Sequence, residues 1–351
     1  MAHQERSPIA AGVALAAGAA VAFGLTTPFV ARAGAGLGAL TTSALLYAGA
    51  ALFSLASRPL AARSGRRLGR SDAGRLALVA LCGAAIAPAL YVAGLGRSGP
   101  TTTSLLLNLE AVFTALLAWL LYREPLGPRV LLALALMVAG GALAAATGEA
   151  GRAPLLGALA VAGATAGWAL DNALSRPLAE ADPGSVVLIK GALGAALTGA
   201  LAVLLGEAAP SGPAAAALLA LGASGYGLSL RLYLLAQRRI GAARTGSVFA
   251  SGPFVGAGVA WLLGDRGGGA STWLAGAAFL AGVVLHATER HGHLHGHEAL
   301  VHDHVHRHDD GHHDHPHGKP VAGAHAHPHR HEALTHAHEH APDLHHGHRH
   351  G

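Results

Sequence analysis

Long apolar stretches separated by short clusters of charge constrain this chain more than any other feature of its sequence. Each stretch holds about 18 to 23 residues, enough for a helix to cross a hydrocarbon core roughly 30 Å thick. Lipid offers no partner to backbone amides, and strand-type alternation is absent, so helices are predicted. The ten spans are expected near residues 9–31, 36–57, 76–96, 100–122, 129–147, 155–176, 184–206, 214–236, 245–263 and 271–289.

The composition agrees with an all-α integral membrane protein. Only 12% of the 351 residues are charged, against about 25% in soluble domains. The apolar stretches also lack the polar faces that a soluble helical protein needs. The net charge of +5 does not indicate a nucleic-acid partner, because the arginines cluster at span ends. Cys82 is the only cysteine of the sequence, which excludes a disulfide within the chain.

The arginines also predict the orientation of the spans. Six of them crowd the segment 58–75 between the second and third spans, so this connection is placed in the cytoplasm. The same side then receives nearly all other arginines, and only Arg32, Arg97, Arg152 and Arg266 fall on the opposite side. The sequence therefore predicts a multi-pass protein of the cytoplasmic membrane with both termini in the cytoplasm.

The second half of the chain repeats the first at a constant spacing. The segment 118–121, Ala-Trp-Leu-Leu, recurs at 260–263, and Tyr91 falls on Tyr233 at the same spacing. These matches carry weight because the chain holds only four Trp and five Tyr. Five spans in each copy would invert the second copy, as in secondary transporters with a substrate site at the midplane between halves. A duplication without a transport function is the alternative.

The segments 91–95 (YVAGL) and 105–124 (LLLNLEAVFTALLAWLLYRE), with their counterpart 249–263, resemble the drug/metabolite transporter superfamily, specifically its EamA type. The resemblance implies ten helices and a permease that exports or exchanges small solutes across a cytoplasmic membrane. It places Glu124 in a helix-end motif, and the second half departs by having Asp265 in the place of Glu. The domains expected are two five-helix EamA-type repeats and a tail, at residues 9–147, 155–289 and 291–351.

Four charged side chains fall inside the predicted spans, away from the span ends, namely Glu110, Asp171, Lys190 and Arg231. Each costs roughly 2.5–3.5 kcal/mol in lipid even on the insertion scale, so each is expected to face the bundle interior, a partner or water. Asp171 and Lys190 lie at similar depth on adjacent spans and are expected to form a structural or gating pair. Glu110 has two candidates for a structural ion pair, Lys190 and Arg231.

The other role open to Glu110 is that of the substrate or proton-coupling carboxylate. A carboxyl group in a dry cavity can exchange a proton near neutral pH. A transporter should then have a polar cavity at the midplane, lined by Glu110 and by second-half residues around Trp168, Asp171 and Asn172. A sensor or a scaffold needs no such cavity.

The tail is a different kind of polymer. The segment 291–351 holds all but two of the 25 histidines and no Phe, Trp or Tyr, so it is predicted to be disordered. Neutral imidazole suits Zn, Ni, Cu and Co, and a flexible chain can fold several rings around one cation. The predicted metal ligands are the alternating residues His291, His293, His295, His297, His302, His304, His306, His308, His312, His313, His315, His317, His325, His327, His329 and His331.

Three functions remain open at this point. In the first, the protein carries an organic solute and its tail buffers metal or pH. In the second, the protein is a Zn, Ni or Co efflux carrier and its tail serves that transport. In the third, the protein is a membrane metal sensor or scaffold. The spans favour the organic solute, since they hold no His besides His286 and no Cys besides Cys82. No catalytic motif is present, so an enzyme is not expected and no cofactor is required. The expected partners are a small-molecule substrate, the lipid bilayer, divalent metal ions at the tail and, in a homodimer, a second copy of the chain.

Overall fold

The computed structural model divides the chain into two units, Met1–Glu289 and Arg290–Gly351. The described residues of the first unit are 8–58, 66–122, 126–146, 152–175, 178, 181–240, 242–265 and 269–287. Those of the second unit, the tail, are 292–297, 300–306, 325–331 and 334–339.

The first half of the first unit is helical. Its helices are α1 Pro8–Gly24, α2 Thr26–Ala33, α3 Ala39–Ser57, α4 Ala73–Ala80, α5 Ala87–Ser98, α6 Pro100–Leu106, α7 Leu109–Tyr122 and α8 Pro128–Ala146. A 3₁₀ turn, Arg70–Asp72, precedes α4, and a π-helical segment, Leu81–Ile86, joins α4 to α5.

The second half follows the same plan. Its helices are α9 Arg152–Ser175, α10 Pro183–Leu204, α11 Gly212–Leu221, α12 Ser229–Ile240, α13 Ala242–Phe249, α14 Gly252–Leu262 and α15 Gly269–Ala287. A second π-helical segment, Gly222–Leu228, joins α11 to α12.

Nine helical segments among the described residues are long and apolar enough to cross a membrane. They are Ala10–Ala33, Ala39–Ser57, Arg70–Ser98, Pro100–Leu121, Pro128–Ala146, Pro154–Ser175, Pro183–Leu204, Gly212–Ile240 and Gly269–His286. This confirms the predicted all-α membrane fold. The predicted span 245–263 is not among the nine. Helices α13 and α14 occupy these residues, with a turn at 250–251 between them. The count of ten spans therefore stays a prediction.

The two halves share local irregularities at the spacing of the sequence repeat. At the spacing that sets Tyr91 on Tyr233, the π-helical segment Leu81–Ile86 falls on 223–228, inside the second π-helical segment. The interruption between α6 and α7 at 107–108 has its counterpart between α13 and α14 at 250–251, one residue beyond that spacing. The first span departs from this rule, because α1 and α2 are separated at Leu25 whereas α9 is continuous. The inverted orientation of the second copy stays a prediction.

Helices of one half pack against helices of the other in a reciprocal pattern. Helix α3 packs on α10 and α8 on α15, each against its own counterpart in the repeat, and α6 packs on α14, the counterpart of α7. Helix α5 packs on α9 and α1 on α12. The repeat spacing sets α5 on α12 and α1 on α9, so these two contacts correspond to each other. Small residues make the contacts close. A Cβ on Gly222 would lie 2.0 Å from the carbonyl oxygen of Leu46, so only glycine fits where the second π-helical segment meets α3.

Two helix starts receive a carboxylate from the other half of the chain. The Glu207 carboxylate, after α10, accepts a hydrogen bond of 2.7 Å from the backbone N–H of Thr41 in α3. The Asp265 carboxylate, after α14, accepts one of 2.7 Å from the backbone N–H of Thr101 in α6. Both satisfy amides that have no partner within their own helix, at its positive end. Asp265 thus stands at a helix end, as its place in the motif predicts, whereas Glu124 lies outside the described residues.

The tail contains short strands where the sequence predicts disorder. They are β1 Gly292–His297, β2 Leu300–His306, β3 His325–His331 and β4 Leu334–Glu339. Strand β1 pairs with β4 and β2 with β3, both antiparallel. The difference has a physical reason, since histidine at every second position has the period of a strand.

Candidate functional site

A cavity of about 90 Å³ lies between the two halves of the first unit. Residues of α1, α3, α7, α9, α10, α12, α13 and the second π-helical segment line it. Three of these residues are acidic or basic, namely Glu110, Asp171 and Lys190. The cavity therefore brings together three of the four charged residues that the sequence places inside spans, along with Trp168 and Asn172.

The charged groups of the cavity fall into two sets. Asp171 and Lys190 form the ion pair predicted from their depth, and both residues are buried, at 3% and 7% exposed. Ser175 donates a further hydrogen bond of 3.1 Å to the other carboxylate oxygen of Asp171. Glu110 instead accepts a hydrogen bond of 2.7 Å from the neutral side-chain amide of Asn172. The cavity thus holds one neutralised pair and one carboxylate with a neutral hydrogen-bond partner.

The first π-helical segment holds two aromatic side chains of the cavity in place. A π-helical turn displaces backbone hydrogen bonds and leaves carbonyls available to other donors, and such turns are frequent at functional sites. The Gly83 carbonyl accepts hydrogen bonds from the Tyr47 hydroxyl and from the Trp168 indole N–H, the latter at 3.0 Å. Gly83 also makes room for the ion pair, since a Cβ there would lie 2.1 Å from Oδ2 of Asp171.

Six aromatic side chains line the cavity, from both halves of the chain. Phe23 is central among them, with ring centroids 6.2 Å from Trp168, 5.9 Å from Tyr226 and 5.6 Å from Phe249. Tyr226 also contacts Tyr47, at 5.3 Å between centroids. The Tyr226 hydroxyl is buried without a hydrogen-bond partner among the described residues. It is therefore available to a bound solute.

Arg231 does not belong to the cavity. Its guanidinium donates a hydrogen bond of 2.8 Å to the Ser57 hydroxyl at the end of α3, and it is absent from the lining. The suggested structural ion pair of Glu110 with Arg231 or Lys190 is not the arrangement found, because Ser57 and Asp171 engage these two basic groups.

Sequence reasoning missed several residues of the site. Phe23, Tyr47 and Tyr226 line the cavity, but an aromatic residue in a span is more often part of the packing, so none stood out. The scarcity of Phe and Tyr, at seven and five in the chain, was the available signal. Gly83 is one of 49 glycines and had no distinguishing mark in the sequence.

A larger crevice, of about 670 Å³, lies elsewhere in the first unit. It is formed by α1, α2 and the region where α11 meets the second π-helical segment, and its polar residues are Thr26 and Ser224. Exposed Val21 and Phe29 also line it. No ionisable residue does, so its chemistry is that of a lipid-facing surface, and the smaller cavity is the candidate site.

The described part of the first unit offers no ready metal centre. No group of three or more His, Cys, Asp or Glu side chains that could hold a metal ion occurs among the described residues of the first unit. Of the predicted tail ligands, ten lie in the strands β1–β3. The others lie outside the described residues, namely His291, His308, His312, His313, His315 and His317.

Fold and site define a multi-span membrane protein with a polar, aromatic-lined cavity between two similar halves. Residues 10–146 match the model of the EamA-like transporter family, which confirms the resemblance over the first half. A curated relative from Methanothermobacter thermautotrophicus (strain Delta H), described as an uncharacterized transporter, is 30% identical over 201 residues. The matched region is 55% of this chain and 58% of that relative, so the chain spans little more than half the relative's length.

A solved crystal structure has the same fold. It is 18% identical in sequence, with a TM-score of 0.59, over 78% of this chain and 94% of its own.

Proposed function

We propose that this protein is a secondary transporter that exports a small organic solute carrying an ammonium group across the cytoplasmic membrane. The main support for this proposal is the cavity, which has two carboxylates, one basic group and six aromatic rings. The match of residues 10–146 to a transporter family supports transport. A sensor or a scaffold would have no use for such a cavity.

The charge balance of the cavity favours a cation. Asp171 and Lys190 neutralise each other, while Glu110 is bonded to the uncharged amide of Asn172. An ionised Glu110 therefore leaves one negative charge in a region where an unbalanced charge is costly. An ammonium group restores neutrality, and so does a proton. The carboxylate binds one or the other, which makes exchange of a proton for the solute the simplest coupling.

The aromatic rings and the volume of the cavity restrict the class of solute further. A cation over the face of Trp, Tyr or Phe gains about 0.5–1 kcal/mol when exposed and about 2 or more when desolvated. Sites for drug-sized ligands enclose about 300–1,000 Å³, whereas this cavity has about 90 Å³. The solute is therefore small, with few atoms beyond its charged group.

The tail adds a separate role. Its histidines are proposed to bind divalent Zn, Ni or Co on the cytoplasmic side, and to buffer metal beside a carrier of a different solute. Metal efflux is the alternative that the tail alone suggests. The cavity favours it less, because Asp171 is committed to Lys190 and the described lining residues include no His or Cys.

A binding experiment tests the class of solute. Tetramethylammonium and tert-butanol have the same number of heavy atoms and nearly the same shape, and they differ in charge. Calorimetric titration of the purified full chain should give saturable heat with tetramethylammonium and none with tert-butanol. Equal binding of the two compounds, or binding of neither, would contradict the proposal.

A transport experiment separates the two cargoes. Proteoliposomes with an imposed pH gradient should move radiolabelled tetramethylammonium, and should not move ⁶⁵Zn²⁺. Zinc movement that a chain truncated after Arg290 retains would instead support metal efflux.

A further inference from the structure

The tail contains one histidine pattern twice, at 291–306 and at 325–340. Both copies read His-x-His-x-His-x-His-Glu-Ala-Leu-x-His-x-His-x-His. All seven histidines of one copy recur in the other. Abundant histidine alone does not explain the Glu-Ala-Leu that interrupts both copies at the same place. The tail is therefore an internal duplication rather than a random histidine-rich segment.

The strands of the tail join one copy of the pattern to the other. Strands β1 and β2 lie in the first copy, and their partners β4 and β3 lie in the second. A single antiparallel register covers both pairings, running from Gly292 opposite Glu339 to His306 opposite His325. The beginning of one copy is thus set against the end of the other.

This register brings histidine opposite histidine at five positions. The pairs are His293–His338 and His295–His336 between β1 and β4, and His302–His329, His304–His327 and His306–His325 between β2 and β3. A slip of one residue abolishes every pair, and His304, for example, would face Ala326 or Pro328. The register found is therefore one that sets histidine positions opposite one another.

Adjacent pairs have the spacing of a metal site. Residues directly opposite in an antiparallel ribbon have Cβ atoms about 4.5–5.5 Å apart. Residues two apart on one strand share a face and lie about 6.7 Å apart. Two adjacent pairs therefore place four histidines at the corners of a small rectangle. Zinc takes four ligands in a tetrahedron with Zn–N distances of about 2.0–2.1 Å.

We propose that each ribbon binds a divalent transition-metal cation between two adjacent histidine pairs, and that the cation ties the two copies of the pattern together. The first site is formed by His293, His295, His336 and His338. The second is formed by two of the three pairs between β2 and β3. The proposal rests on metal binding by the tail and is independent of what the cavity carries.

The arrangement makes the tail a metal-dependent hairpin. An isolated two-stranded ribbon is marginally stable in water, and a site that exists only when folded couples metal binding to folding. Cation binding then closes the connection between the two copies. The folded state of the tail thereby reports the concentration of free metal in the cytoplasm.

The register is tested with nitroxide spin labels on the full-length Cys82→Ala protein. Labels at Val305→Cys and Ala326→Cys occupy opposite positions, whereas Val301→Cys lies opposite Arg330 and is offset from Ala326→Cys along the ribbon. Zinc should strongly increase dipolar broadening for the opposite pair and much less for the offset pair. Equal broadening for both pairs would overturn the proposed register. Broadening in a mixture of singly labelled chains would overturn pairing within one chain.

The sites are tested by counting bound zinc per full-length chain against a chromophoric chelator. The His295→Ala/His336→Ala variant should lose one tightly bound zinc, and so should His304→Ala/His327→Ala. The matched control, His346→Ala/His348→Ala, removes two histidines outside both copies and should lose none. Equal losses in all three variants would show binding without defined sites and would overturn the proposal. Transport of tetramethylammonium by proteoliposomes that contain the same variants tests the proposed transport function separately.

Discussion

Replacement of Lys190 by methionine should destabilise the protein by about 3–5 kcal/mol, the usual cost of removing one partner of a buried ion pair. The side chains of Lys190 and Asp171 are only 8% and 4% exposed. Methionine fills the space of the lysine stem but leaves the Asp171 charge with no cation, and Ser175 supplies only one neutral hydrogen bond to it. The Asp171→Asn/Lys190→Met double variant removes both charges and should recover most of the loss.

The measurement is the free energy of unfolding in mixed detergent micelles, by titration with a denaturing detergent. The pair between Arg66 and Asp72 provides a matched control, because the Arg66 side chain is 43% exposed. The Asp72 side chain is itself only 7% exposed, but it keeps a hydrogen bond of 2.8 Å from the backbone N–H of Gly69. Arg66→Met should therefore cost less than Lys190→Met. The reasoning is refuted if Lys190→Met costs no more than Arg66→Met, or if the double variant is as unstable as the single one.

Other substitutions probe the local geometry. Gly83→Ala should lower the free energy of unfolding by about 1–3 kcal/mol, because its Cβ would lie 2.1 Å from Asp171 Oδ2. A Cβ at Gly74 would lie in open space, so Gly74→Ala should be neutral or stabilise the protein by up to about 1 kcal/mol. Thermal unfolding compares the two variants, and equal stability of both would contradict the packing described at Gly83. Asp265→Ala should cost about 0.5–2 kcal/mol, like the loss of a helix cap, and hydrogen exchange at the Thr101 amide should quicken. An unchanged exchange rate would show that the carboxylate does not cap α6.

The sequence predicts the spans well because the physics of lipid is simple. A stretch such as Pro128–Ala146 is apolar throughout after Arg129 and is long enough to cross, which leaves helix as the available structure. The π-helical segments were not predicted, because Leu81–Ile86 has the same composition as the α-helix around it. The turn at 250–251 was missed for the same reason, although Pro253 in the first turn of α14 suits a helix start.

The site is only partly predictable. Glu110, Asp171 and Lys190 could be found because a charge within a span has a high cost. The pairing of Asp171 with Lys190 followed from their depth, but the preference of Glu110 for Asn172 depends on how α7 meets α9, and local sequence does not encode this contact. The register of the tail likewise depends on two segments, 291–306 and 325–340, that are not adjacent in the sequence.

Transport by the Glu110→Gln variant tests the central claim most directly. Glutamine retains an oxygen that can accept the 2.7 Å hydrogen bond from Asn172, and it loses only the charge. Proton-driven uptake of radiolabelled tetramethylammonium into proteoliposomes should fall at least about tenfold, since hydrogen bonds to charged groups contribute about 1.5–3 kcal/mol. The matched Glu207→Gln variant, which changes a carboxylate at a helix end, should retain uptake per folded protein. Undiminished uptake by Glu110→Gln would contradict the assignment of Glu110 as the site of exchange.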